Sequence, residues 1–321
     1  MIDDIGWLLA VRGESLAAFD GRCIPAGCVA PRSNIPDILT RRALPARRLA
    51  RLGATPDFHH GLLGRVALAA CLAVGVVGHA HAQELRRDPP DSPEFMSRFN
   101  VHMSAAGLAS EDPRFSWDTH WGGDFDFVDY VRGRLAFVAD YEALLGKEFR
   151  LFDPNQGNYT LAVSGSVRVK RLELAGVLHH VSRHLSDRPK QVAVAYNAFQ
   201  LRVMGQTSLG QNTLALRLEG GPVLARAHVD YDWMSVGEAM LRRPVSPHVA
   251  VYGMAHAEVY GVDRQVYNRS SQYGGRFEGG MRLTGKGGAL ELFGGYERVV
   301  DAHQFDLLPM SWGFAGFRLV K

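Results

Sequence analysis

The chain has 321 residues, a formal net charge of +3, 35 glycines and three cysteines. Residues 1–82 hold nine Arg, no Lys and six Asp or Glu, which leaves 27 basic and 27 acidic residues for the rest of the chain. Cys23, Cys28 and Cys71 also lie in the first 82 residues. Downstream of them this excludes disulfides, thiolate metal sites and cysteine nucleophiles, and the balanced charge argues against a nucleic-acid partner.

Residues 1–46 are rich in Arg, Pro and Ala and show little periodicity. They read as a disordered extension, a mistaken start or a long n-region. Residues 47–82 read as a signal peptide. Arg65 precedes an apolar run from Val66 to Gly78, and Ala80-His81-Ala82 forms an A-x-A cleavage pattern before Gln83. The apolar run is shorter than the roughly 20 residues a membrane-spanning helix needs. Leu68-Ala69-Ala70-Cys71 resembles a lipoprotein box, but cutting there leaves an apolar stretch at the new N-terminus. Residues 83–93 form a short segment, and a barrel domain is expected over 94–321.

From Phe95 onward the chain repeats roughly ten residues of alternating polarity followed by turn residues. In "NYTLAVSGSVRVK", Tyr159, Leu161, Val163, Val167 and Val169 share one face, and Thr160, Ser164, Ser166, Arg168 and Lys170 share the other. That is the period of a strand with one apolar face. "WDTHWGGDFDFVD", "PVLARAHVDYDW", "HVAVYGMAHAEVYG" and "SQYGGRFEGGMRLTG" alternate in the same way. Alternation fits a soluble sandwich or an outer-membrane barrel. Four features favour the barrel: the export signal, the strand length, the aromatics Trp117, Tyr231, Trp233, Tyr296 and Trp312 near strand ends, and an amphipathic final strand in "PMSWGFAGFRLVK".

The reading is therefore all-β, an antiparallel transmembrane β-barrel of about 12 strands (10 to 14) in the bacterial outer membrane. The strands are placed near 95–105, 116–129, 131–143, 157–170, 171–183, 190–204, 212–220, 222–234, 247–260, 271–284, 287–298 and 310–320. Two joins fit poorly: a very short turn at Gly220-Gly221-Pro222 and a long connection over 235–246. The phase of "VAVAYNAFQLRV" also slips between Tyr196 and Phe199. The expected lumen residues are Asp124, Asp126, Arg134, Arg168, Arg226, Asp230, Glu258, Arg276, Glu278 and Arg282. Expected partners are outer-membrane lipid, lipopolysaccharide and the barrel-assembly machinery, with no nucleic acid and no cofactor.

One stretch invites chemistry: "GVLHHVSRHLSDRP", Gly176 to Pro189. As a metal site it offers His179, His184 and Asp187, but the spacing matches no recurrent zinc motif, and no metal is expected. His180-Val181-Ser182 resembles the His-x-Ser arrangement of outer-membrane lipid A deacylases, which implies His180 as base and Ser182 as nucleophile on the lipid-facing side. The longer segment Ser182, His184, Leu185 and Asp187 resembles a Ser-Ser-His-Leu-Gly-Asp-like stretch in a family of uncharacterised bacterial outer-membrane proteins known as a domain of unknown function. Ser186 stands where that pattern has Gly. This resemblance implies a barrel and no particular activity. The sequence thus points first to a small passive channel or structural barrel, with a lipid hydrolase using His180 and Ser182 as the alternative.

Overall fold

The computed structural model describes residues 89–185, 194–303 and 305–321. The leader, the cleavage position Ala82/Gln83, Ser186 and Asp187 lie outside them. Twelve strands follow in chain order: β1 (Glu94–Leu108), β2 (Trp117–Asp129), β3 (Arg134–Gly146), β4 (Asp153–Val169), β5 (Leu172–Leu185), β6 (Val194–Leu209), β7 (Asn212–Ala227), β8 (Tyr231–Ser246), β9 (Val249–Val262), β10 (Gln272–Thr284), β11 (Ala289–Val299) and β12 (Met310–Val320). A single helical turn, α1 (Arg264–Tyr267), sits between β9 and β10. Among the described residues no helix is long and apolar enough to cross a membrane.

Every strand pairs antiparallel with its neighbour in sequence, and β1 pairs with β12 from His102↔Val320 to Leu108↔Phe314, so the sheet is a closed barrel. Closure satisfies both edges and, among the described residues, leaves no unpaired strand. The connections at one end are short (130–133, 170–171, 210–211, 247–248, 285–288). Those at the other are mostly longer, the three residues 228–230 being the exception.

Two expected boundaries are corrected. Gly220, Gly221 and Pro222 make no turn; they lie inside β7. A Cβ on Gly221 would stand 2.0 Å from the Phe199 carbonyl oxygen, so glycine there permits close strand approach. Residues 235–246 belong to β8 instead of a long connection. The slip near Tyr196 corresponds to a bulge, where Asn197 pairs with Ala225 but Ala198 pairs with Val223.

The alternation resolves into an inverted protein. Leu161, Val163, Leu174, Leu178, Leu201, Leu218, Val251, Phe277 and Leu292 are exposed on the outside. Charged residues are buried inside, Arg134, Asp126 and Glu173 completely. Two of the expected belt aromatics face inward. Tyr231 joins Tyr196, Tyr260, Met234 and Val300 in an apolar cluster inside the barrel, and Trp312 stacks on Phe115 at 5.2 Å. Both pack beneath the loops that close the long-loop end, where apolar contact is needed inside. Trp117, Trp233 and Tyr296 stay exposed.

Candidate functional site

The interior is bolted by guanidinium–carboxylate pairs. Toward the short-turn end, Arg134 donates to both oxygens of Asp126 (3.0 and 3.1 Å) and to Glu173 (2.8 Å), Arg168 pairs with Asp129 (2.7 Å) and Arg98 pairs with Asp124. Across the opposite wall Arg276 pairs with Glu278 (2.7 Å) and Glu297 (2.9 Å), Arg318 bridges Glu278 (3.0 Å) and Glu291 (2.7 Å), and Arg282 also reaches Glu291 (2.7 Å). Burying a charge is tolerable only when it is paired and hydrogen-bonded, and these bonds meet that condition.

The long-loop end is closed by its own loops. Residues 300–303 fold into the mouth, where Asp301 and Ala302 are buried. Arg269, from the β9–β10 loop, reaches Asp230 (2.6 and 2.7 Å) and Asp301 (2.7 and 2.8 Å). Arg183 donates to the carbonyl oxygens of Asp301 (2.8 Å) and Ala302 (3.0 Å). Between the cap and the bolted layers lies a cavity of about 180 Å³, with His120, Glu142, His179, Gln200 and Glu219 in its lining.

Of the expected lumen residues, Asp124, Asp126, Arg134, Arg168, Glu258, Arg276, Glu278 and Arg282 lie on the inner face, and Asp230 is buried at the mouth. Arg226 lies opposite the inward Tyr196, at the end of the same inner face. It sits at the rim, donating to the carbonyl oxygens of Asp230 and Tyr231 and pairing with Asp263 at 2.7 Å. The two histidines weighed as metal ligands are separated: His179 lines the interior cavity, while His184 faces out with Ser182.

The outward face of β5 breaks the apolar belt at one place. His180, Ser182 and His184 share that face through the two-residue period of the strand. His180 lies directly across from Asn197 of β6, and its Nδ1 is 2.7 Å from Asn197 Oδ1. With the amide oxygen as acceptor, Nδ1 carries the proton and Nε2 is left as the base. Ser182 Oγ rests 3.3 Å from His184 Nε2. The patch is three residues from the long-loop end of β5. It continues a row of outward aromatics, because Trp121 pairs with Tyr141, Tyr141 with Tyr159, and Tyr159 with Ser182. The rings of Tyr141 and Tyr159 are 4.9 Å apart, and Tyr159 meets the His184 ring edge-on at 5.8 Å.

Asn197 escaped the sequence reading. Its partner on β5 depends on the register across residues 186–193, which no local signal encodes.

No family model and no curated protein matches the sequence. Among solved structures, the chain is similar to the outer membrane protein Omp33 of Acinetobacter baumannii (10% identity over 69% of this chain and 96% of that one, TM-score 0.33). It is also similar to the outer membrane phospholipase A of Escherichia coli (8% identity, 69% and 92% covered, TM-score 0.43). A third is OmpT, an outer membrane protein of Vibrio cholerae (9% identity, 70% and 97% covered, TM-score 0.35).

Proposed function

We propose that this barrel spans the bacterial outer membrane and hydrolyses acyl esters of membrane lipid at an outward-facing site built from Ser182, His180 and Asn197. The belt of exposed Leu, Val and Phe supports the membrane setting, since such a surface suits a hydrocarbon solvent. The observation that carries the chemistry is the His180–Asn197 hydrogen bond with Ser182 on the same face. Polar side chains pointing outward from an apolar belt are costly, and in membrane proteins they mark function. Ser182, two residues along the same outward face from an imidazole whose Nδ1 is held by an amide, offers a nucleophile, a base and an orienting group.

In this reading Ser182 Oγ attacks the acyl carbonyl and its proton passes to His180 Nε2. The imidazolium returns that proton to the departing alkoxide, leaving an acyl-serine. Water then attacks the acyl-serine with His180 again taking the proton, which releases the fatty acid and restores the serine. Asn197 fixes the tautomer and the ring direction throughout. His184, which holds Ser182 in the structure, keeps the hydroxyl at the level of the aromatic row, where lipid ester groups lie.

A second reading, a structural barrel without chemistry, is favoured by the packed interior. The same packing gives a passive channel less support, because the layer through Arg134, Glu173 and Gln200 is fully buried. Lipid analysis separates the readings. Cells expressing the wild-type protein are expected to accumulate a deacylated lipid and free fatty acid, and cells expressing Ser182→Ala to lose both while assembling equal amounts of barrel. Identical lipids in wild type, variant and cells without the protein would leave the structural reading.

A further inference from the structure

One sector of the interior is built differently from the rest. Across β2 and β3 the carboxylates Asp118, Asp140 and Glu142 gather around imidazoles instead of guanidinium groups. His120 Nε2 is 3.1 Å from one oxygen of Asp118 and 3.9 Å from Glu142 Oε1, while its Nδ1 is 2.7 Å from Asp140. Asp140 is held in turn by His102 Nε2 at 2.8 Å.

We propose that Asp118, His120 and Glu142, together with Asn158, form a binding site for one divalent first-row transition-metal ion. The metal-ligating atoms of the first three residues already lie within 4.8 Å of one another. Bonds of about 2.0–2.2 Å to a tetrahedral ion set neighbouring ligands roughly 3.5 Å apart, so only a small closure is required. The Asp140 carboxylate on the far nitrogen of His120 is the arrangement that fixes the tautomer of a ligating histidine and raises its basicity. An independent feature points the same way. Asn158 is 7% exposed, lines the same cavity and donates from Nδ2 to Glu142 at 2.6 Å, yet its buried Oδ1 accepts no hydrogen bond. An amide oxygen next to two carboxylates and an imidazole is a natural fourth donor. The imidazole disfavours Ca²⁺ and Mg²⁺, which take oxygen ligands, and suits Zn²⁺ and its neighbours. The ion would tie β2, β3 and β4 together toward the long-loop end, above the level where Arg134 and Arg168 join the same strands.

Zinc is the probe. Untagged protein purified from membranes is stripped with a chelator, dialysed and titrated with Zn²⁺, and bound metal is counted by elemental analysis. The expected result is one ion per chain. Glu142→Gln and Asp118→Asn should each weaken binding at least tenfold, whereas His184→Gln on the outer face should leave it unchanged. Chelation should also lower the temperature at which the folded, fast-migrating gel form is lost in the wild type, and have no such effect in His120→Gln. Should a carboxylate variant fail to fold, Asn158→Leu, which keeps all three charged groups, should still bind more weakly. Absence of stoichiometric zinc, or equal binding by wild type and by whichever of these variants folds, would overturn the site and leave a hydrogen-bonded cluster centred on His120.

Discussion

Two patches on the outside of the same three strands differ sharply. Toward the short-turn end, Val163 of β4, Leu174 and Leu178 of β5, and Leu201 of β6 present only hydrocarbon. A few residues toward the long loops, β5 and β6 present His180, Ser182, His184 and Asn197, with Tyr159 of β4 beside them. Backbone, register and neighbours are shared, so geometry cannot account for the change of chemistry. The lower patch is what a barrel needs to sit in lipid. The upper one weakens that anchorage, and in the proposed reading it lies at the depth where lipid esters, headgroups and water meet. The interior gives a second contrast, because its charges are matched by guanidinium–carboxylate pairs, whereas the outer patch holds neutral amide, hydroxyl and imidazole groups bonded to one another.

The contrast can be broken from the inside first. Arg134→Ala would strand Asp126 and Glu173, both fully buried, without their cation. Losing one partner of a buried pair costs about 3–5 kcal/mol, so refolding in urea should show a larger loss of stability than any single substitution on the outer face produces. Arg226→Ala at the rim should cost under about 1 kcal/mol in the same assay. On the outside, Val163→Arg places a charge in the hydrocarbon patch and should cost on the order of 2–4 kcal/mol, seen as less heat-modifiable barrel in the membrane fraction.

Asn197→Leu extends the apolar belt into the polar patch. Assembly should be no worse than in the wild type, yet turnover should fall on the order of 10²-fold, because His180 loses the group that aims it. A loss of activity with assembly preserved is what separates a catalytic patch from an accidental one. The smallest effect belongs to the loop at the capped end. Arg114, hydrogen-bonded to Asp112, holds that carboxyl below its usual value. The bridge therefore contributes stability above the unfolded-state pKa near 4 and loses it as the pH falls through the lowered folded value. For a surface pair the change should be under about 1 kcal/mol. It should vanish in Asp112→Asn when thermal stability is followed from pH 6 to pH 3.

Much of this architecture was legible from alternation. A two-residue period with an apolar phase identifies strands such as β4 and β10 without reference to anything distant. It failed where local composition misled. "SVGEAMLRRPVS" carries Glu, Ala, Met, Leu and a proline, which suit a strand poorly, and only pairing with β9 makes it the second half of β8. Gly220-Gly221-Pro222 has the composition of a turn, and the demand for close approach to Phe199 is invisible in one dimension. Tyr231 and Trp312 looked like belt aromatics because the loops that fold into the mouth leave no local signature. The sites follow the same rule. Groups two residues apart, such as His180 and Ser182 or Asp118 and His120, share a face by strand geometry alone. Asn197 and Glu142 join them only through register, where a slip of one residue would send each side chain to the opposite face.

The central claim is that Ser182 is a nucleophile facing lipid. Purified barrel in mixed micelles of detergent and phospholipid, or of detergent and lipopolysaccharide, should release free fatty acid in one of the two mixtures. Ser182→Ala, folded to the same gel mobility, should reduce that release by a factor on the order of 10³ or more, and Ser208→Ala, a control at the short-turn end of β6, should not change it. Fatty acid released equally by wild type and Ser182→Ala, or by neither in both mixtures, would contradict the account.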